Sequence, residues 1–251
     1  MNMKKTFIVS VSALLMVTSA FAWSKKAEGE GNLGRTYISL GGGASFSKVK
    51  VAGESSSKVQ GVADAAINVP VFKPGVNALE DVSWIGLDAQ LYFNFGGGSL
   101  AKFNGESLNV LSYGAGGALI PYLNFETGWE YLQAIKPFAI GKAGYAGTQF
   151  SGGLSDTYNM DNLDMFVYSG GGGVELVITE NLSVTGLWMW NASAKEDIPC
   201  YQTVGGEITY WASHMFAVGI FAEHNFGSDN GAYDFTHSDT FGIRFKIGFK
   251  R

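Results

Sequence analysis

The stretch Phe241-Gly-Ile-Arg-Phe-Lys-Ile-Gly-Phe249 decides the fold class. Side chains alternate across an extended strand, so Phe241, Ile243, Phe245, Ile247 and Phe249 share one face. Gly242, Arg244, Lys246 and Gly248 share the other, and the strand has a greasy face and a wet one. The period recurs near residue 90, where Ile85, Leu87, Ala89, Leu91, Phe93 and Phe95 stand opposite Gly86, Asp88, Gln90, Tyr92 and Asn94. Weaker versions run through 36–46, 59–72, 109–125, 138–149, 166–178, 182–191, 205–211 and 216–226. The reading is all-β with about ten strands, eight being the smaller alternative; single-chain bacterial barrels use even numbers.

A soluble β-sandwich also alternates, so the second face discriminates. In a sandwich that face meets bulk water and carries many long charged side chains. Here charged residues make up only 16% of the chain against 35 glycines and 14% aromatics, and the second face is mostly Gly, Ala, Ser and Asn. Gly41, Gly43, Gly114, Gly116, Gly171 and Gly173 fit a narrow lumen, where only small side chains find room. The pattern therefore predicts a single closed antiparallel transmembrane β-barrel.

The amino terminus supplies an address. Lys4 and Lys5 precede the apolar run 7–17, and Ala20-Phe21-Ala22 is a small-x-small cleavage site before Trp23. The run is shorter than the ~20 apolar residues a spanning helix needs, and no later run reaches that length. Residues 1–22 read as a cleaved signal peptide, 23–34 as a short periplasmic lead, disordered from Trp23 to Leu33, and 35–249 as the barrel. Losing Lys4 and Lys5 leaves 15 basic residues against 22 acidic ones, a net charge of −7, which argues against a nucleic-acid partner. The single Cys200 makes no internal disulfide and reads as a loop thiol.

Polar segments at 48–58, 96–106, 151–162, 192–203 and 227–239 suit outward-facing loops, while 179–181 and the neighbourhood of 212–213 are tight turns and 126–136 is the longest turn. This rhythm places both termini in the periplasm. Phe93, Phe95, Trp188, Trp190 and Phe226 fall toward the outer headgroups, and Phe125, Phe216 and Phe249 toward the periplasmic ones, where amphipathic rings are favoured.

Three stretches carry a resemblance: the opening Tyr37-Ile-Ser-Leu-Gly-Gly-Gly-Ala-Ser-Phe46, the internal Lys136-Pro-Phe-Ala-Ile-Gly-Lys-Ala-Gly-Tyr145, and the hairpin Gly171-Gly-Gly-Val-Glu-Leu-Val-Ile-Thr-Glu-Asn-Leu-Ser183. Over nearly the whole mature chain these resemble the superfamily of small outer-membrane β-barrels of OmpA and opacity type. The resemblance implies an outer-membrane location, contact with outer-membrane lipid and lipopolysaccharide, assembly by the barrel-insertion machinery, and a monomer. Members often end on an aromatic residue, whereas here Lys250 and Arg251 follow Phe249.

Reading the strand faces inward gathers Asp64, Asp88, Glu175, Glu207 and Glu223 with Lys142, Arg244 and Lys246 into an expected lumenal ion network, with Arg244 within reach of a carboxylate, Asp88 or Glu223 first. About ten strands favours a plugged interior over an open pore. His237-Ser238-Asp239 superficially resembles the His/Ser arrangement of outer-membrane lipid A deacylases, without that family's intervening residue. Asp229, Asp234, His237 and Asp239 match no calcium-loop spacing, and His214, His224 and His237 are too scattered for a metal site. The expectation is a structural or surface-interaction barrel with no catalytic activity, cofactor or metal. A small-solute channel and a lipid A-modifying enzyme are the alternatives.

Overall fold

A computed structural model describes residues 31–51, 54–74, 84–103, 105–158, 161–195, 200–213, 215–227 and 237–249; the expected signal peptide lies outside them. Among these residues the elements run β1 (Thr36–Val51), β2 (Glu54–Phe72), β3 (Ile85–Phe103), β4 (Glu106–Leu123), β5 (Phe125–Trp129), β6 (Leu132–Ser151), a six-residue helix α1 (Gly153–Tyr158), β7 (Leu163–Thr179), β8 (Leu182–Ser193), β9 (Tyr201–Ser213), β10 (Phe216–Gly227) and β11 (Ser238–Phe249). Every strand except β4 pairs antiparallel with the next, β4 pairs instead with β6 past β5, and β1 pairs with β11 from Thr36↔Phe249 to Ser47↔Ser238. Ten strands thus close a ring, and β5 is a short extra strand beside β6 at the end of the barrel where the chain enters and leaves.

Closure leaves the ring no free edge, so each strand's backbone can be satisfied by its neighbours even in hydrocarbon. One loosening lies on the β4–β6 seam. Its pairing jumps from Leu119↔Gly141 to Tyr122↔Phe138, because Pro121 and Pro137 donate no N–H there. Phe125↔Ile135 and Glu126↔Ala134 then take up the edge of β6, so the long turn expected at 126–136 is a β5–β6 hairpin.

The apolar face points outward. Leu91, Phe93, Ile220, Ile243 and Phe245 are exposed and Leu87 and Val218 half-exposed, the reverse of a soluble core. Aromatic rings gather toward both ends of this surface and meet across strands. Phe46 and Phe241 lie edge to face at 6.3 Å and Tyr168 and Trp190 are tilted against each other at 6.1 Å toward the far end; Trp84 stacks on Phe125 at 6.5 Å and Phe216 on Phe245 at 6.3 Å toward the terminal end. An apolar band between aromatic belts is the exterior of a membrane barrel.

Two of the expected outer loops are strand instead. β1 and β2 stay paired to Val51↔Glu54, and β3 and β4 to Phe103↔Glu106, so 48–58 and 96–106 are mostly hairpin. β2 and β3 pair with each other only up to Gly61↔Gly97, beyond which the two hairpins separate. Their polar composition marks where the chain leaves lipid, which a ladder does not require it to end at.

A second correction concerns the lead, expected to be disordered to residue 33. Its described part, residues 31–34, is folded into the terminal mouth of the barrel, with Asn32 and Leu33 buried.

Candidate functional site

The lumen is the place where polar side chains converge. Its middle is organised by Arg244 on β11, which is buried. Its Nε lies 3.2 Å from Asp64 on β2, one terminal nitrogen lies 2.8 Å from Glu207 on β9, and the other lies 3.5 Å from Glu223 on β10. The guanidinium plane sits 3.8 Å from the Phe221 ring centroid, so the cation is covered on its face and bonded on its edges. Lys246 pairs with the same Glu207 and donates to Thr209 at 3.0 Å, and Thr209 in turn donates to Glu207 at 2.8 Å. Of the two carboxylates first expected near Arg244, Glu223 is there and Asp88 is not.

Asp88 and Glu175 face the terminal mouth, where residues 31–35 occupy them. The Asn32 and Leu33 amides both donate to the Glu175 carboxylate, the latter at 3.1 Å. The Gly34 amide donates to Asp88 at 3.0 Å, and Asn68 bridges Asp88 and the Arg35 carbonyl at 2.8 Å each. Lys136 donates to the Leu33 carbonyl at 3.3 Å, and the Arg35 guanidinium lies over Trp211 at 3.8 Å. Lys142 lies higher, with its Nζ 5.2 Å from the Tyr92 ring centroid.

The eight side chains grouped from the sequence therefore fall into an Arg244 cluster of Asp64, Glu207, Glu223 and Lys246, a mouth pair of Asp88 and Glu175, and Lys142 beside Tyr92. Arg35, Asn68 and Lys136 were missed. Lys136 was legible, because it shares the face of Lys142 at even spacing along β6. With Arg35 and Lys136 counted, five buried or nearly buried carboxylates meet five cations (Arg35, Lys136, Lys142, Arg244 and Lys246), which removes the excess negative charge of the original group.

Neutral side chains fill the rest. Toward the far end, Ser169 donates to Asn191 at 2.7 Å, Asn191 to Thr203 at 2.9 Å, Thr203 to Asn225 at 2.7 Å and Asn225 to Ser238 at 3.4 Å. A second sector is apolar: Leu33, Ile120, Tyr122, Phe138, Ile140, Leu187 and Met189 form a buried cluster inside the barrel. The sequence reading allowed for small groups on the inner face but not for this core. The inward glycine row admits large rings: a Cβ at Gly116 would lie 2.5 Å from the Tyr92 hydroxyl.

His237 and Ser238 are split by the wall. Ser238 is buried in the lumen beside Asn225, while His237 is exposed outside, its ring stacked at 5.8 Å on His224. His224 bonds Asp239 at 2.7 Å on the same outer face. Asp229, Asp234 and His214 lie outside the described residues. Cys200 is half-buried just before β9.

No family model and no curated protein matches the sequence. Among solved structures, the chain resembles the transport unit of the autotransporter AIDA-I from Escherichia coli, with a TM-score of 0.52 and 8% identity over 99% of each chain. It also aligns with the translocator domain of the autotransporter NalP from Neisseria meningitidis (TM-score 0.41, 7% identity, 86% of this chain and 88% of that one). A third match is Ail, the attachment invasion locus protein of Yersinia pestis (TM-score 0.38, 10% identity, 85% and 99%). At such identities the likeness is one of fold. That fold, with an outer surface apolar between two aromatic belts, is that of a transmembrane β-barrel.

Proposed function

We propose that this barrel is a structural or surface-interaction component of the outer membrane, monomeric and without catalytic activity, its termini in the periplasm. The observation that carries the reading is the filled lumen. Arg244 ties strands β2, β9, β10 and β11 together through three carboxylates at mid-height, and residues 31–35 seat in the terminal mouth. A ring of ten strands is narrow enough for side chains to occupy its interior. Contacts then fall to the exterior: lipid and lipopolysaccharide along the belts, the insertion machinery during assembly, and other surfaces at the projecting hairpins. Nucleic acid does not suit a chain of this net charge. The positions of His237 and Ser238 on opposite faces support the non-enzymatic reading, since nucleophile and base need mutual hydrogen-bond reach.

Two measurements test this. Planar-bilayer recordings of the purified protein are expected to show no large stable conductance; a steady open level would favour the channel. Mass analysis of lipid A from cells with and without the gene is expected to show the same acyl pattern. An altered pattern that is lost in Ser238→Ala would overturn the proposal.

A further inference from the structure

Residues 31–35 are held by the barrel as a ligand is held. Two successive amides, those of Asn32 and Leu33, converge on one carboxylate of Glu175, an arrangement in which main-chain N–H groups form a concave nest around an anion. Asp88 takes the next amide, from Gly34. Lys136 and Asn68 donate to the carbonyls of Leu33 and Arg35, so both polarities of the segment's backbone are read by side chains from β2, β3, β6 and β7. Asn32 adds side-chain bonds to Ser183 at 2.8 Å and Thr209 at 3.4 Å, and Leu33 inserts into the apolar sector of the lumen.

Selectivity resides at the two glycines that bound the loop. Gly31 has φ +62° and Gly34 φ +98°, a region that favours glycine. Space enforces the same choice. A Cβ on Gly31 would stand 2.5 Å from Val177 and 2.7 Å from Glu175, and one on Gly34 would stand 2.7 Å from the Tyr122 hydroxyl. A peptide with any other residue at either place clashes with groups that the barrel keeps buried.

We infer that the terminal mouth is a sequence-selective peptide site for a Gly-Asn-Leu-Gly loop, filled in cis by the chain's own residues 31–34 and able to take the same loop in trans. The recognised class is a peptide turn with glycine at both corners, Asn at the second position and Leu at the third. Charged partners for backbone dipoles give strong hydrogen bonds, while Leu33 supplies buried apolar area. The cis segment is covalently tethered and so holds the site at high effective concentration, which a free peptide must overcome.

The test uses the full mature chain in phospholipid vesicles with a dye-labelled, end-blocked peptide of residues 31–35. In the Gly31→Ala, Gly34→Ala double variant the cis loop is unseated, and saturable binding is expected at least tenfold tighter than to the unaltered chain. Adding Glu175→Gln to that variant is expected to weaken it at least tenfold, and a peptide carrying both alanines to bind neither protein. Equal binding to the unaltered chain and the double variant, or none to a folded double variant, overturns the proposal. Should the double variant not fold, hydrogen exchange of the amides of residues 32–34 decides. It is expected to rise at least tenfold in Glu175→Gln alone while the β ladder stays protected, and an unchanged rate overturns the proposal.

Discussion

Arg244 concentrates the electrostatics of the lumen in one side chain. Its three carboxylate partners come from three different strands, and each is almost fully screened from solvent. Removing one member of a buried ion cluster is more damaging than replacing the cluster, because the remaining charges lose their compensation. Arg244→Met should therefore lower the unfolding free energy by about 3–5 kcal/mol, measured by urea unfolding in lipid vesicles. A loss below about 1 kcal/mol would mean that the carboxylates are satisfied without it. That Arg244 faces inward was legible from the alternation of residues 241–249. Which acids it meets was not: Asp64 lies 180 residues away in sequence, and only the β1–β2 and β1–β11 registers set Asp64 and Arg244 opposite the same glycine, Gly41. Register is a property of pairs of strands, and a one-residue slip reverses every side chain.

Strands were easier to read than their ends. The outward rows of β3, β10 and β11 follow directly from the period of two, because lipid accepts only one face. The polar tips of β1 to β4 resembled loops, since once the chain leaves hydrocarbon nothing compels its outer face to be apolar. The segment at 31–35 had no period to detect; its order comes from Glu175, Asp88 and Lys136, which belong to other strands. The depth of a position within the band gives a graded prediction. Ile220, 64% exposed and paired with Ile208 and Ile243 between the aromatic belts, lies deep in lipid. Val59, paired with Phe46, lies at the belt. Arginine at Ile220 should cost about 2–4 kcal/mol and at Val59 about 0–1 kcal/mol, by the same unfolding measurement. Equal costs would show that the two positions share one environment.

The closed ring itself depends on few residues beyond the membrane. The β1–β11 pairing ends at Ser47↔Ser238, whereas the β1–β2 hairpin continues to Val51↔Glu54. Replacing residues 49–56 by a two-residue Asn-Gly turn joins Lys48 to its partner Ser57 and leaves every other pairing untouched. The shortened chain should refold and keep the mobility difference between unboiled and boiled samples on gels; loss of that difference would mean that the hairpin tip helps to close the ring.

The height of the wall is unequal around its circumference. β2 and β3 are 19 residues long and β4 is 18, whereas β8 to β11 have 12 or 13. A crossing strand needs about ten residues, so the longer ones carry some eight more, or roughly 25 Å of strand at ~3.3 Å per residue. Among the described residues the strands thus rise higher on one side of the far mouth than on the other. An approaching macromolecule meets a front and a back, and a barrel neighbour in a crowded membrane that abuts the tall side leaves the side of shorter strands facing away from it.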